Sequence, residues 1–382
     1  MPATAETAKP EGLFSAEDAW HMRHALRLAQ AALGRTAENP AVGCVIVSNG
    51  QVVGTGATAS GGRPHAEPQA LAMAGERARG ATAYVTLEPC AHHGHTPPCT
   101  EALIAAGISR VVAAMPDPDP RVNGGGLKLL AEAGIETAVG LLEPEARRLL
   151  AGFIRRHEEG RPQVLLKLAV SADGMIAAEP GAPTAITGAL ALRRAHLLRA
   201  QSDAILVGGG TIRADDPMLT CRLPGLEDRS PVRVVLSRAL EGVPQDAKVF
   251  ATADEVPTVV FCTPAGRDRA LALKERHPAV RIVPMAADAE GDIPVQAVLG
   301  RLAEMKINRL MVEGGAQVAR AFIEAGVVDE IALFEAPKKR LGPGGVQALA
   351  GLALQEVLAG YELMQEMPLG ADVLRRYERR QG

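Results

Sequence analysis

Two spacings of apolar residues alternate along the chain. Ser15-Ala-Glu-Asp18 reads as a helix N-cap, with apolar positions at helical intervals following through Trp20, Leu26 and Leu33. Residues 36–40 form a loop, 42–47 a buried strand, Asn49-Gly50 a hairpin turn and 51–54 the returning strand. A loop at 56–64, rich in Gly, Ala and Ser, leads into a helical run to about Arg79 and a strand at 83–87. A helix from 97–99 to Ala106, a strand at 110–114, a polar turn at 115–126, a helix to Ala133 and a strand around 136–139 complete this series. Gly107, Gly134 and Gly326 read as helix C-caps.

The charged segment 155–162 (RRHEEGRP) is the best candidate linker. A second series follows, with strands at 164–170, 204–207, 232–236, 258–262, 281–283 and 309–312, and helices such as 189–200 and 318–325. The run to Gly382 adds two short apolar stretches and a charged tail. Strands separated by helices predict an α/β fold with a mostly parallel sheet in this half. A length of 382 residues exceeds one comfortable core. The expected division is a tail at 1–14, a domain at 15–157 and a second domain at 158–382.

Composition narrows the function. Aromatic residues make up only 3% and net charge is -3, with no dense Lys/Arg run, which counts against stacking platforms and basic grooves for nucleic acid. Five cysteines, an odd number in a long chain, fit a reducing compartment with thiols used for metal. The first residues, MPATAETAKPEG, lack an apolar h-region, and no long apolar span follows, so the expectation is a soluble cytoplasmic protein.

The densest chemistry lies between His65 and Cys99. Pro64-His65-Ala-Glu67, Glu88-Pro-Cys90 and Pro97-Pro-Cys99 supply one imidazole and two thiolates. That set gives a zinc ion three ligands and leaves the fourth tetrahedral position for water. Glu67, two residues from His65, reaches that water without taking a metal position, the arrangement of zinc deaminases with the acid as proton shuttle. The C-x8-C gap departs from the commoner C-x-x-C and points to a subfamily. Cys44, Cys221 and Cys262 lack this setting and are expected as buried thiols.

In the second half, two glycine turns end strands: Ile205-Leu-Val-Gly-Gly-Gly-Thr211 and Leu310-Met-Val-Glu-Gly-Gly315. Open backbone amides at such turns bind phosphate, and Arg199, Arg213 and Arg222 lie near them in sequence. Neither turn matches G-x-G-x-x-G. The residues alone stop at a nucleotide or phosphorylated substrate.

The chain resembles the bifunctional riboflavin-biosynthesis deaminase–reductase family. The resemblance rests on Asn39-Pro-Ala-Val-Gly-Cys44, Gly62-Arg-Pro-His-Ala-Glu67, Thr86-Leu-Glu-Pro-Cys90, Thr96-Pro-Pro-Cys99 and Ala114-Met-Pro-Asp117-Pro-Asp119-Pro. In the second half it rests on Lys167-Leu-Ala-Val-Ser171-Ala-Asp173-Gly174, the segment 203–211, Asp215-Asp-Pro-Met-Leu219 and Val312-Glu-Gly-Gly315. It implies a cytidine-deaminase-like αβα domain and a dihydrofolate-reductase-like αβα domain, with one zinc ion, NADPH, a phosphoribosylaminopyrimidine substrate and a homo-oligomer. By the same resemblance Asn39, Asp117 and Asp119 match pyrimidine- and ribose-binding positions. Ala169, Thr211, Asp215 and the run Gly315, Ala316, Gln317, Val318, Ala319, Arg320, Ala321 match cofactor positions. Lys167, Arg199, Leu219, Arg222 and Glu313 match positions on the phosphorylated substrate, with a core role open for Leu219 and a Lys167–Glu313 ion pair as the alternative for those two.

Five positions depart from the family pattern. Thr58 stands where a His often precedes H-A-E, His95 replaces a Lys or Arg, and Asp119 a common Asn. Ala185 stands where a Trp is frequent, and Ser237 where an Asp often follows the strand. Two other readings are a nucleic-acid-editing deaminase, disfavoured by charge and aromatic content, and a zinc-stabilised scaffold, which would have no need of Glu67.

Overall fold

A closed capping box starts the first helix. The Ser15 Oγ accepts the Asp18 N–H at 3.0 Å, and the Ser15 N–H donates to the Asp18 carboxylate at 2.8 Å, launching α1 (Ala16–Ala32). The computed structural model describes residues 14–93, 97–119, 124–181 and 184–380. It divides into two units, Met1–His157 and Glu158–Gly382. All of the expected tail except Phe14, and His95, lie outside the described residues. The buried face of α1 is Asp18, His21, Met22, Ala25, Ala29 and Ala32. Trp20 is 58% exposed, so the expected apolar stripe is rotated: the small alanines, not the indole, meet the sheet.

β1 (Gly43–Ser48) and β2 (Gln51–Ala57) form the expected hairpin, with Asn49 and Gly50 both at positive φ. β2 runs three residues past Gly54. Against it lies α2 (Ala66–Ala74), and the contact is backbone to backbone. A Cβ on Gly54 would collide with the Ala70 carbonyl oxygen, and one on Gly56 with that of Ala66. Only glycine allows this approach, and the helix it admits carries Glu67 and begins at His65. α2 ends at Ala74 rather than near Arg79, because Gly75 at φ 56 leaves the helical region and a 3-10 turn completes the run.

The unit continues through β3 (Thr82–Val85), α3 (Cys99–Ala105), β4 (Arg110–Ala113), α4 (Gly125–Glu132), β5 (Glu136–Val139), α5 (Glu143–Leu149) and α6 (Ala151–Glu158). The sheet order is β2-β1-β3-β4-β5, antiparallel from β2 to β3 and parallel from β3 to β5. The expected linker is corrected in part: 155–158 is the last turn of α6, held by buried Phe153 and Ile154. Those two apolar side chains outweigh the charge run that suggested a linker.

The second unit contains β6 (Gln163–Ser171), β7 (Met175–Ala177), α7 (Ala189–Ala200), β8 (Ala204–Gly208), α8 (Gly209–Asp215), β9 (Val232–Leu236), α9 (Lys248–Ala251), β10 (Thr258–Cys262), α10 (Arg267–Arg276) and β11 (Arg281–Pro284). It continues with α11 (Val295–Glu304), β12 (Arg309–Val312), α12 (Ala316–Glu324), β13 (Glu330–Ala336), β14 (Val346–Gln347), α13 (Leu354–Ala359), β15 (Tyr361–Leu369) and β16 (Asp372–Arg379). Its nine-stranded sheet has the order β11-β10-β9-β8-β12-β6-β13-β16-β15. Pairing is parallel from β11 to β13 and antiparallel at β16 and β15.

Two features of this sheet were not anticipated. β13 pairs along β6 from Glu330 to Ala336, and the C-terminal residues form a hairpin rather than a tail. The charges that suggested a tail are spent on cross-strand pairs: Arg375 with Glu335 and, at 2.7 Å, with Glu366, and Arg376 with Glu330. Among the described residues no helix is long and apolar enough to cross a membrane.

Gly56→Ala forces α2 off β2, and overpacking of this kind costs about 1–3 kcal/mol. Urea unfolding followed by circular dichroism measures it, and wild-type stability would show that the helix does not need the gap.

Candidate metal centre and cofactor cleft

The zinc-type motif closes in space. His65 is the N-cap residue of α2 but makes no capping bond with its side chain, which leaves the imidazole free for the thiols. Cys90 follows β3, and Cys99 is the first residue of α3. The His65 Nδ1 lies 3.3 Å from the Cys99 Sγ and 3.7 Å from the Cys90 Sγ, and all three donor atoms are within 4.8 Å of one another. Ligands about 2.0–2.3 Å from a tetrahedral ion stand roughly 3.5–3.8 Å apart, so the set fits zinc. Among the described residues it is the only such cluster of three. The Cys99 N–H donates to the Cys90 Sγ, and Thr100 donates from both its N–H and its hydroxyl to the Cys90 carbonyl, all at 3.3 Å, which clamps the Cys90 loop onto α3.

Electrostatics agree with ligand roles. The Cys99 S–H donates to Cys90 and holds that thiol down at about 4; the same bond, with burial, pushes Cys99 far up. Two thiols this close keep one proton between them until a cation displaces it. Glu67 is 3% exposed, and burial first, then the Cys90 thiolate, raises its carboxyl. A carboxyl lifted toward neutrality beside the ligand set can both take and return a proton.

Glu88, which the sequence reading had not singled out, organises the other wall. It is 3% exposed, and its two oxygens accept four backbone N–H groups: Asp117 at 3.1 Å, Gly124 at 2.8 Å, Gly126 at 2.9 Å and Leu127 at 3.1 Å. It thus anchors the Asp117 turn and the start of α4, whose N-cap Gly124 offers no side chain. That uncapped helix start was the available signal. Asp117 is buried and pushed up to about 7, chiefly by desolvation and against the Asp119 N–H, which it accepts at 2.8 Å. Asn39 is held by the Thr36 turn, donating to the Thr36 carbonyl at 3.0 Å and accepting from its hydroxyl at 2.7 Å. Thr58 has taken a structural role in its place beside this loop: its hydroxyl donates to Pro40 O at 2.9 Å and accepts the Val42 N–H at 3.0 Å.

In the second unit Glu313 pairs with Arg199, not with Lys167. The contact is bidentate, 2.7 and 2.9 Å, and Arg199 also donates to Thr220 O at 3.0 Å. Burial would raise the Glu313 carboxyl, but the Arg199 charge overcomes it and holds Glu313 at about 2. The Lys167 ammonium lies 5.8 Å over the Phe334 ring, its pKa lowered by burial. Leu219 has its side chain in the core, 2% exposed, while its backbone sits at φ 54. Arg222 is exposed, and its N–H donates to the His196 Nδ1 at 3.3 Å. His196 was missed, although it stands three residues before Arg199 on α7, the spacing that shares a helix face.

Two cavities of about 1250 and 630 Å³ adjoin at Gly208, Gly210, Gln317 and Val318. The two glycine turns are stapled together there, the Thr211 Oγ1 accepting the Gly315 N–H at 3.1 Å. Thr211, Asp215, Gly315, Ala316, Gln317 and Val318 line the smaller cavity, and Arg320 and Ala321 the larger. Ala169 and Ala319 line neither: Ala319 is fully buried in one core cluster, and Ala169 packs against another that contains Phe334 and Leu165. At the expected Trp position, the Ala185 carbonyl accepts the Lys339 ammonium.

Comparison with known proteins places both halves. Residues 162–366 match the RibD C-terminal domain family, and residues 15–115 the cytidine and deoxycytidylate deaminase zinc-binding region. The riboflavin biosynthesis protein RibD of Escherichia coli K12 is 42% identical over 84% of this chain and 88% of its own length. That of Aquifex aeolicus is 44% identical over 83% and 86%. Among solved structures, Acinetobacter baumannii RibD (form 1) superposes with a TM-score of 0.83 at 36% identity, covering 96% of this chain and 99% of that one. A Thermotoga maritima protein described as a diaminohydroxyphosphoribosylaminopyrimidine deaminase/5-amino-6-(5-phosphoribosylamino)uracil reductase superposes at 0.81 with 33% identity, covering 95% and 99%.

Glu88→Ala strands four buried N–H groups and should lower stability by several kcal/mol, about 1–3 for each donor that finds no water, read by calorimetric unfolding. Because Glu313 is held below its ordinary pKa, the pair's contribution is present above about pH 4.5 and is lost as pH falls toward 2. Arg199→Ala should destabilise by roughly 3–5 kcal/mol at neutral pH, and the difference from wild type should shrink across that acid window. A pH-independent difference would assign Arg199 to packing alone.

Proposed function

The chain belongs to the RibD family of bifunctional riboflavin-biosynthesis enzymes, a cytidine-deaminase-like domain followed by a dihydrofolate-reductase-like one, and we propose which of its residues carry the two reactions. The first is hydrolytic deamination of 2,5-diamino-6-(5-phosphoribosylamino)pyrimidin-4-one. The second is NADPH-dependent reduction of the ribosyl group of 5-amino-6-(5-phosphoribosylamino)uracil to ribityl. The observation that carries the assignment is the convergence of the His65, Cys90 and Cys99 donor atoms beside a buried Glu67.

His65, Cys90 and Cys99 would hold the zinc. Bound there, zinc supplies Lewis acidity and makes hydroxide available near neutral pH. Glu67 takes the proton from the attacking water and returns it to the amino group as the C–N bond breaks, so the products are carbonyl and ammonia. Its burial keeps the protonated carboxyl accessible for that return. Asn39 and the Asp117–Asp119 turn orient the pyrimidine and ribose, and Glu88 fixes the turn. Asp117, pushed up to about 7 by burial, can donate as well as accept toward the substrate.

When bound, NADPH would supply the hydride for reduction of the opened ribose at C1. Thr211 and Asp215 with the run from Gly315 to Ala321 form its cradle, Ala319 only anchoring α12 to the core behind it. Arg199 is consumed by Glu313 and Thr220, so it shapes the substrate pocket, whereas Lys167 and the exposed Arg222 remain for the substrate phosphate. The small chemistry and the lack of a membrane-spanning helix among the described residues accord with a cytoplasmic enzyme, and the family resemblance with a homo-oligomer.

Glu67→Gln should retain stoichiometric zinc by metal analysis yet release ammonia at least a hundredfold more slowly, on the order of a lost general acid–base group. Chelation should stop ammonia release while NADPH oxidation with the deaminated substrate persists. Undiminished ammonia release by the variant would remove Glu67 from the mechanism.

A further inference from the structure

Between α8 and β9 the chain from 216 to 231 is irregular apart from the 3-10 turn Glu227–Arg229. Its first part is nevertheless fixed, because side chains from elsewhere hold its backbone at four points. Arg233 of β9 donates to Met218 O at 3.3 Å, and Arg199 of α7 donates to Thr220 O at 3.0 Å. The Ser230 Oγ accepts the Cys221 N–H at 3.1 Å, and the His196 Nδ1 accepts the Arg222 N–H at 3.3 Å. The chain then turns away, the Leu226 N–H closing on Leu223 O at 2.9 Å. His196 thus makes the last of these bonds, at the residue whose exposed guanidinium is assigned to the substrate phosphate. Among the described residues that guanidinium has one hydrogen bond, 3.4 Å to the Thr220 hydroxyl, so the backbone sets where it points.

The bond dictates the state of the ring. A backbone N–H can only donate, so the imidazole must accept, with Nδ1 bare and the proton on Nε2. A protonated imidazole carries hydrogen on both nitrogens and cannot accept. The charges that face the ring are Arg199 on its own helix, Arg222 on the held segment and Glu313 just after β12. Burial first, then the two guanidinium groups, lower the imidazole below its ordinary range, against the opposing pull of Glu313 and the Thr220 carbonyl. Near neutrality the ring is therefore the acceptor that the geometry requires. Arg199 shares its helix face three residues on and is locked to Glu313 at 2.7 and 2.9 Å. α7 is the fixed support, and His196 is its hold on the phosphate-binding residue.

We propose that His196 is a positioning residue of the reductase site: as the neutral Nε2–H tautomer it holds the Arg222 backbone and so aims the Arg222 guanidinium at the substrate phosphate. It acts through Arg222 and does not touch the substrate itself. Protonation of the ring breaks the bond and releases the segment, so substrate binding weakens on the acid side while the cofactor cradle is unaffected. The inference rests on reading this unit as an NADPH reductase and Arg222 as its phosphate ligand.

Steady-state kinetics with NADPH and the deaminated substrate tests this. His196→Ala should raise KM for that substrate by roughly 3- to 10-fold, one hydrogen bond, with kcat and the KM for NADPH held. Arg222→Ala should raise the same KM by roughly 10- to 100-fold, and adding His196→Ala to it should change nothing more, since the two act as one unit. His196→Asn places an amide oxygen where Nδ1 stood and should restore the wild-type KM. The substrate phosphate itself titrates near about pH 6 with either enzyme, so the imidazole is read from the difference between them. KM should rise more steeply on the acid side for wild type than for the Asn variant. Multiplicative losses in the double variant, an Asn variant no better than Ala, or superimposable pH profiles would overturn the proposal. Should His196→Ala fail to fold, the pH profile of His196→Asn decides. An unchanged KM in Arg222→Ala would instead overturn the phosphate role of Arg222, and wild-type enzyme that oxidises no NADPH the reductase reading itself.

Discussion

The first unit depends on one close approach, a helix backbone laid directly on a strand backbone. Gly54 and Gly56 remove the side chains that would hold α2 away from β2, and the carbonyls of Ala66 and Ala70 occupy the space. That contact sets the position of His65 and Glu67 relative to the sheet. The thiolates reach the same point by a different route: Cys90 leaves β3, which pairs with β1, and Cys99 opens α3. Two independent chain paths must therefore agree to within a fraction of an ångström, and the bonds from Cys99 and Thr100 back to Cys90 enforce that agreement.

Glu88 extends the same logic outward from the centre. A carboxylate removed from water needs compensation, and four backbone donors supply it more completely than a single cation would. In return the turn bearing Asp117 and the start of α4 are fixed relative to a residue two positions from a metal ligand. The Asp117 turn, the start of α4 and the Cys90 loop are thus mechanically one system. In the second unit the hydroxyl of Thr211 does comparable work, since its bond to the Gly315 N–H makes one cradle from turns a hundred residues apart in sequence.

What was legible from sequence is what is local. The His65–Glu67 spacing, the hairpin at Asn49-Gly50, the Ser15 cap and the glycine turns are set by neighbours within a few positions, and each appears in the structure. The misses are long-range. Trp20 matched a helical stripe, but the face of α1 that fits the sheet is the one with alanines, because small side chains allow the closer contact. The charged C-terminal stretch looked like a solvated tail because its partners, Glu330 and Glu335, lie on a strand some forty residues earlier. The Lys167–Glu313 alternative failed for the same reason: α7 brings Arg199 to the carboxylate with a geometry no ammonium matches. His196 and Glu88 left only faint signals, a shared helix face and an uncapped helix start, because their significance lies in what they touch.

The arginines of the second unit show how a fold separates structural from available charge. Arg233 is fully buried and donates to Met218 O, to both oxygens of Thr252 and to Val256 O, with a pKa drawn down to about 10 by desolvation. Arg199 is committed to Glu313 and Thr220. Both have exchanged water for fixed acceptors, and a ligand could recruit either only by breaking bonds that also hold the core. Arg222 and Arg238 differ in kind: each is exposed, with contacts that water or an anion can replace, and Arg238 lines the larger cavity. Local sequence does not make this distinction, because all four stand near the ends of elements or in turns. Burial does, and it directs the search for phosphate recognition to the arginines that the fold leaves unfinished.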